Sequence, residues 1–281
     1  MPTVSDRSRL ISIVQSRQNA RVRELRAGFA RTGREVSEVI GIEGEHLLAE
    51  ALGSGLRLRS VFLRVDPDRQ DASLQILERL AIPVGVPIIS LNAVVFASAV
   101  DTESPQGIAA LVETPRFSLA ESLAGPRPLV LIAAELQDPG NFGTLIRSAE
   151  AFGASGVLAL PGTVDVWNAK TLRASAGSAF RVPVIYERAS AAFAALAERR
   201  IPIYAAVPGG TGQAAVPCSS ADLAAPAAIL IGNEGSGLPP ELLERATARI
   251  TIPTPGPTES LNAGVAASIL LYEAARQRSR P

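Results

Sequence analysis

Three short stretches of the chain concentrate residue types able to do chemistry. The first runs Glu135-Leu-Gln-Asp-Pro-Gly-Asn141-Phe-Gly143-Thr-Leu-Ile-Arg147. It sets an amide, which can both donate and accept, ahead of a guanidinium that stays charged at any working pH. Arg147 lies within the first two turns of the helix that follows, so it can point back toward the loop. The second, Gly232-Asn233-Glu234-Gly235-Ser236-Gly237, holds a carboxylate in a glycine-rich loop where backbone can approach a ligand closely. Its G-x-x-G-x-G spacing departs from the G-x-G-x-x-G dinucleotide fingerprint, and it follows a late strand rather than the first. The third links Ile252-Pro253 through a Pro-rich bend to Ser260-Leu261-Asn262 and a run of small residues. Each has a plainer reading. Asn141 and Ser260 suit helix N-caps, Arg147 can pair with Glu150 three residues on, and Glu234 can be a turn residue.

Composition removes several mechanisms. His46 and Cys218 are the only histidine and cysteine among 281 residues, so a Ser/His/Asp triad, a thiolate or histidine metal cluster and an internal disulfide are all excluded. Charge balances at 27 basic against 27 acidic residues, yet residues 1–34 hold eight arginines against Asp6 and Glu24, a net of +6. Arg17, Arg21 and Arg23, beside Asn19, lie in that segment, which suits phosphate contact as well as a solvated helix face. Lys170 is the only lysine. The polar N-terminus lacks a signal-peptide core, and the longest apolar run, around Ala263 to Tyr272, falls short of a membrane span. A soluble, cytoplasmic protein is expected.

Periodicity supplies the elements that must position these residues. In the first half, helices are expected at Gln18–Ala30, His46–Leu52, Ser73–Leu80 and Asn92–Ala99. Strands are expected at Val39–Ile42, Leu58–Val65 (stopped by Asp66-Pro67-Asp68), Val86–Ser90 and Gly107–Val112. After a short helix-like stretch from Glu113, the cluster Gly125-Pro-Arg-Pro reads as a linker. The second half alternates strands (Leu129–Ala134, Gly156–Leu160, Val182–Tyr186, Ile203–Val207, Ala227–Ile231, Arg249–Ile252) with helices (Phe142–Phe152, Ala169–Ser178, Ala191–Arg200, Pro240–Ala246, Ser260–Arg276). Short apolar strands alternating with helices point to a parallel sheet covered on both faces, with ligands bound beyond the carboxyl ends of its strands. All three polar stretches fall in such loops.

In this order and spacing, Asn-x-Gly-x-x-x-Arg, Gly-x-Glu-Gly-x-Gly and Ile-Pro…Glu-Ser-Leu-Asn resemble the three motifs of the SpoU (TrmH-like) branch of the SPOUT RNA methyltransferases. The first half resembles that family's substrate-binding domain, of the ribosomal L30e/L7Ae type, at Ser16-Arg-Gln-Asn19, Arg21-Val-Arg-Glu-Leu25, Ile42-Glu43-Gly44 and Thr102-Glu-Ser-Pro-Gln-Gly107. One departure is Gly264, where the family usually carries a second serine.

The resemblance implies an α/β fold with a C-terminal trefoil knot, preceded by a smaller L30e-like α/β domain. Its division would be residues 1–115 for RNA binding, 116–128 as linker and 129–281 for catalysis. It implies transfer of a methyl group from S-adenosylmethionine, without a metal, to a ribose 2′-hydroxyl in structured RNA, ribosomal RNA being favoured over transfer RNA. Asn141, Arg147, Glu234, Ser260 and Asn262 would be catalytic, and Ala205, Ala206, Gly232, Ile252 and Leu261 would bind the donor. Arg17, Asn19, Arg21 and Arg23 would bind RNA. It further implies a homodimer whose sites are completed by the partner subunit, and no role for membranes or DNA. Read from the residues alone, a noncatalytic RNA-binding module and a nucleotide-dependent oxidoreductase remain open alternatives.

Overall fold

The computed structural model describes residues 13–30, 39–65, 70–209, 214–258 and 260–279. Arg7, Arg9, Arg31, Arg34, the Asp66-Pro67-Asp68 stop and Glu259 lie outside them. The chain forms two compact units, Met1–Pro115 and Arg116–Pro281.

Among the described residues of the first unit, the first helix is α1 (Ala20–Phe29), whose Asn19 cap accepts a hydrogen bond from the Arg21 amide at 2.9 Å. Val22 and Leu25, three residues apart on one face, are fully buried against a four-stranded sheet. That sheet comprises β1 (Val39–Glu43), β2 (Leu58–Arg64), β3 (Ile88–Leu91) and β4 (Ile108–Glu113) in the order β1-β4-β2-β3. Helices α2 (Glu45–Gly53), α3 (Gln70–Arg79) and α4 (Ala93–Ala97) connect its strands. Glu43 explains why two separated stretches of sequence matter together. Its buried carboxylate accepts from Thr102 Oγ1 at 2.6 Å and the Gln106 amide at 2.7 Å, bracing the loop before β4. Two buried carboxylate hydrogen bonds of this kind offset its desolvation.

In the second unit, α5 (Leu119–Ser122) precedes β5 (Leu129–Ala133), α6 (Pro139–Ala151), β6 (Gly156–Ala159), α7 (Ala169–Ser175) and β7 (Val184–Tyr186). Then follow α8 (Ala189–Glu198), β8 (Ile203–Ala206), β9 (Val216–Pro217), β10 (Ala227–Ile231), α9 (Pro240–Glu244), β11 (Ala248–Thr251) and α10 (Ala263–Arg278). The seven strands lie in the order β7-β6-β5-β10-β8-β11-β9, and every pairing is parallel. This is the expected α/β architecture. The central strands β5 and β10 are buried at every residue, as continuous apolar runs in a doubly covered parallel sheet must be.

Several local expectations are corrected. Helix α6 begins at Pro139 rather than Phe142, and Asp138, not Asn141, is its N-cap, accepting from the Asn141 amide at 2.8 Å. Proline at the first helical position fixes φ and needs no hydrogen-bond donor, so it sets the start. Likewise α10 begins at Ala263 and is capped by Asn262, not Ser260. Glu113 ends β4 instead of opening a helix; the helical turn is α5, closed by a Ser118/Glu121 capping box. Residues 116–128 put Leu123 into the core of the second unit. Gly156 lies so close beneath α5 that a Cβ there would meet Ser122 Cβ at 2.4 Å. The edge strand β9 is too short for its pattern to be read from sequence.

Candidate active site

Parallel pairing brings the carboxyl ends of β5, β10, β8 and β11 to one edge of the sheet. The strand order also changes direction there. From β5 the chain moves outward to β6 and β7, then returns to build β10, β8 and β11 on its other side. A crevice at such a reversal is the usual ligand site of an open α/β sheet.

The loop after β5 leads into α6 and presents Asn141. The loop after β10 presents Glu234, and the bend after β11 presents Asn262. These three, widely separated in sequence, form one chain of hydrogen bonds. Asn141 Nδ2 donates to Glu234 Oε1 at 2.5 Å, and Asn262 Nδ2 donates to Asn141 Oδ1 at 2.8 Å. Asn262 Oδ1 meanwhile accepts from the Val265 amide at 3.2 Å, so one side chain both caps α10 and fixes Asn141. The second Nδ2 hydrogen of Asn141 has no partner among the described residues. Gly264 lets the two helices approach. A Cβ there would sit 3.3 Å from the Asn141 carbonyl oxygen, Asn262 Oδ1 and Thr144 Cβ, so a serine would push against all three.

The glycine loop is shaped by a residue not singled out from sequence. Asn233 Oδ1 accepts from the Gly235 and Ser236 amides at 2.8 and 3.1 Å, while its Nδ2 donates to the Glu135 carbonyl at 2.8 Å. An asparagine between glycines is the signal that could have revealed this turn. Asn233 and Gly237 also exchange two backbone hydrogen bonds of 3.0 Å, closing the loop on itself. Gly232 is the price of that closure, since a Cβ there would lie 2.5 Å from the Gly237 oxygen.

Beside this network lies a cavity of about 450 Å³, within the range of small-molecule sites. Ala206, Gly232, Glu234, Ile252, Ser260 and Leu261 line it, together with Leu238, Ile250 and Leu270. Its walls combine apolar side chains with glycine-loop backbone, the mixture usual in small-molecule sites. Ala205 is not among the lining residues. Successive strand residues face opposite sides, and the Ala205 side chain is fully buried in the core.

Arg147 lies outside both the network and the cavity lining. It is exposed, with no hydrogen-bond or ion-pair partner among the described residues. The plainer alternative, an Arg147–Glu150 pair, does not form, because Arg181 engages Glu150 through both carboxylate oxygens. That contact, chiefly, holds the Glu150 carboxyl below its ordinary range. The Asn141 amide does the same for Asp138, aided by Lys170, whose Nζ lies 3.5 Å from Asp138 Oδ2.

In the first unit, Asn19 serves as the α1 cap and Arg21 pairs with Glu24 at 3.1 Å. Arg17 and Arg23 are exposed without a partner among the described residues. Arg26 turns inward, donating to the Ser98 carbonyl at 3.1 Å.

Comparison with known proteins follows this division. Residues 128–272 match the SpoU rRNA Methylase family, and residues 19–110 match the MRM3-like substrate binding domain. The chain is 34% identical, over 92% of its length and 97% of the relative's, to the 23S rRNA (guanosine(2553)-2′-O)-methyltransferase RlmP of Bacillus subtilis. It is 30% identical to human mitochondrial rRNA methyltransferase 3, over 88% of this chain and 70% of that one. The solved structure of the SpoU methyltransferase AviRb from Streptomyces viridochromogenes, in complex with AdoMet, superposes with a TM-score of 0.80. Identity there is 27%, covering 93% of this chain and 98% of that one. An AdoMet-bound rRNA methyltransferase from Sinorhizobium meliloti gives a TM-score of 0.76 at 28% identity, covering 95% and 98%.

Proposed function

The chain belongs to the SpoU rRNA methylase family, and from that premise we propose that it methylates a ribose 2′-hydroxyl of ribosomal RNA using S-adenosylmethionine. The observation that carries this reading is the Asn141–Glu234–Asn262 network at the rim of the glycine-loop cavity.

S-adenosylmethionine supplies an already activated methyl group on its sulfonium. Gly232, Ala206, Ile252 and Leu261 would hold it, the apolar side chains against the ring and the loop backbone against its polar groups. The residues around it must align the acceptor and stabilise charge on a poor nucleophile. Asn141, fixed from both sides by Glu234 and Asn262, directs its free N–H toward the ribose. Ser260, at the cavity rim, completes the donor pocket. Arg147 stabilises the negative charge developing on the ribose oxygen and clamps the adjoining phosphate, as a planar, permanently charged donor does best.

The solvent-facing position of Arg147 fits a homodimer in which it serves the partner's site. An apolar stripe on α10 supports this: Val265 and Tyr272 are exposed, with half-buried Ile269 between them at helical spacing. Tyr272 packs edge-on against Phe152 at the end of α6. On this reading the protein works in the cytoplasm, Arg17, Arg21 and Arg23 contribute to RNA capture, and the C-terminal segment carries the family's knot. Among the described residues no helix is long and apolar enough to cross a membrane.

The test is to map ribose methylations in ribosomal RNA from a strain lacking this gene. Loss of one or a few sites, restored by the purified protein and S-adenosylmethionine, is expected. An unchanged methylation map would overturn the proposal.

A further inference from the structure

The second unit carries cationic side chains that the chemistry above leaves unused. Lys170 and Arg173 stand one turn apart on the exposed face of α7. The opposite face of that helix is pressed onto α6. A Cβ at Gly143 would meet Ala174 Cβ and the Thr171 carbonyl, both at 2.5 Å, so only glycine allows the contact. This packing fixes α7 beside the N-terminus of α6. Lys170 Nζ lies 3.5 Å from Asp138 Oδ2, and Asp138 Oδ1 accepts from the Asn141 amide at 2.8 Å. A single carboxylate therefore separates the ammonium from Asn141 and its network.

We infer that Lys170 and Arg173 bind the phosphate backbone of the RNA strand next to the nucleoside being methylated. The inference rests on the ribosomal-RNA reading above and adds a contact surface on the catalytic unit, distinct from the arginines of α1. Three features support it. Lys170 is the chain's only lysine, and it stands at the rim of the network. Its pair with Asp138 is exposed, 62% and 46% at the two side chains, and such pairs are weak enough for a phosphate to displace. Asp138 loses little in the exchange, because it keeps the Asn141 amide. Arg173 is exposed and has no partner among the described residues, leaving its planar donors free for phosphate oxygens.

Phosphate contacts of this kind position the strand without reading its sequence. They act on RNA affinity and on its salt dependence, and leave donor binding alone. The experiment uses the full-length protein, tritiated S-adenosylmethionine and ribosomal RNA from a strain lacking the gene. The Lys170→Gln/Arg173→Gln double variant should raise KM for RNA about tenfold or more and keep kcat within about twofold. The slope of log affinity against log salt should fall by about 1–2, reflecting two lost phosphate contacts. S-adenosylmethionine affinity and the thermal midpoint should match wild type. The charge-retaining double variant Lys170→Arg/Arg173→Lys should behave nearly as wild type.

An unchanged KM and salt slope in the neutral variant would overturn the inference. So would equal damage in the charge-retaining variant, which would make the role one of packing. A wild-type protein that leaves this RNA unmethylated would overturn the ribosomal-RNA reading itself, a result separable from the first two.

Discussion

Replacing Gly232 with alanine would place a Cβ 2.5 Å from the Gly237 oxygen, 2.6 Å from its carbonyl carbon and 2.8 Å from Leu238 Cγ. Two of those neighbours are backbone atoms. Because real Cβ atoms essentially never come within 3.0 Å of a neighbour, the Gly237 carbonyl must retreat by about half an ångström or more. That movement breaks the two 3.0 Å hydrogen bonds between Asn233 and Gly237 that close the loop. At about 0.5–1.5 kcal/mol each, the closed loop loses roughly 1–3 kcal/mol. The 234–236 tip is exposed, so the loop can open without unfolding the domain. The cost should therefore appear in donor affinity rather than in the thermal midpoint. Calorimetric titration with S-adenosylmethionine should give a Kd raised roughly 5–150-fold. Gly235→Ala is the control. Its Cβ would meet only Asn233 Oδ1, at an ordinary 3.5 Å, so the loop stays closed and affinity should fall far less than in Gly232→Ala, although Gly235 also lines the cavity. A Gly232→Ala protein that bound the donor as wild type does, or a Gly235→Ala protein equally damaged, would refute the reasoning.

Arg147→Ala should lower kcat by roughly 10²–10³ and leave donor affinity unchanged, with Arg147→Lys rescuing poorly; methyl-transfer kinetics within a few-fold of wild type would remove Arg147 from the mechanism. Because the Asn141 amide, above all, lowers the Asp138 carboxyl pKa in the folded state, its stabilising contribution should be full above about pH 4 and be lost as pH falls through the folded value. Asp138→Asn, which can still cap α6, should remove that part of the acid limb in pH-dependent melts and at pH 7 should forfeit the same contribution. Deleting residues 1–115 should leave a unit that folds and binds the donor but has lost most RNA affinity, as measured by filter binding; full RNA binding by the fragment would refute the division of labour.

How much of this was legible in the sequence differs from one feature to the next. The apolar runs of β5 and β10 and their alternation with helices set the parallel α/β class, because only a doubly covered sheet buries strands that are apolar at every residue. Gly232 and Gly143 are visible as glycines inside motifs, though what each glycine avoids, a carbonyl in one case and a neighbouring helix in the other, is set by tertiary packing. The three polar loops could be ordered along the chain, and the general rule for parallel sheets located them at one edge.

Tertiary structure alone decided which polar groups meet. Asn141 contacts Glu234 across 93 positions of sequence and Asn262 across 121, through a strand order that no local pattern encodes. The same holds for partners chosen by competition. Glu150 had a suitable arginine three residues back but is taken by Arg181, which the packing of neighbouring elements brings to it. Asp138 took the cap that Asn141 could have filled, because Pro139 fixes the first helical residue, and this freed Asn141 for the network. Ala205 and Ala206 are the same residue type side by side, and only the sheet's orientation decides that one faces the core and the other the cavity. Sequence sets the types and the local conformations; long-range pairing then selects among hydrogen-bond partners whose local energies are nearly equal.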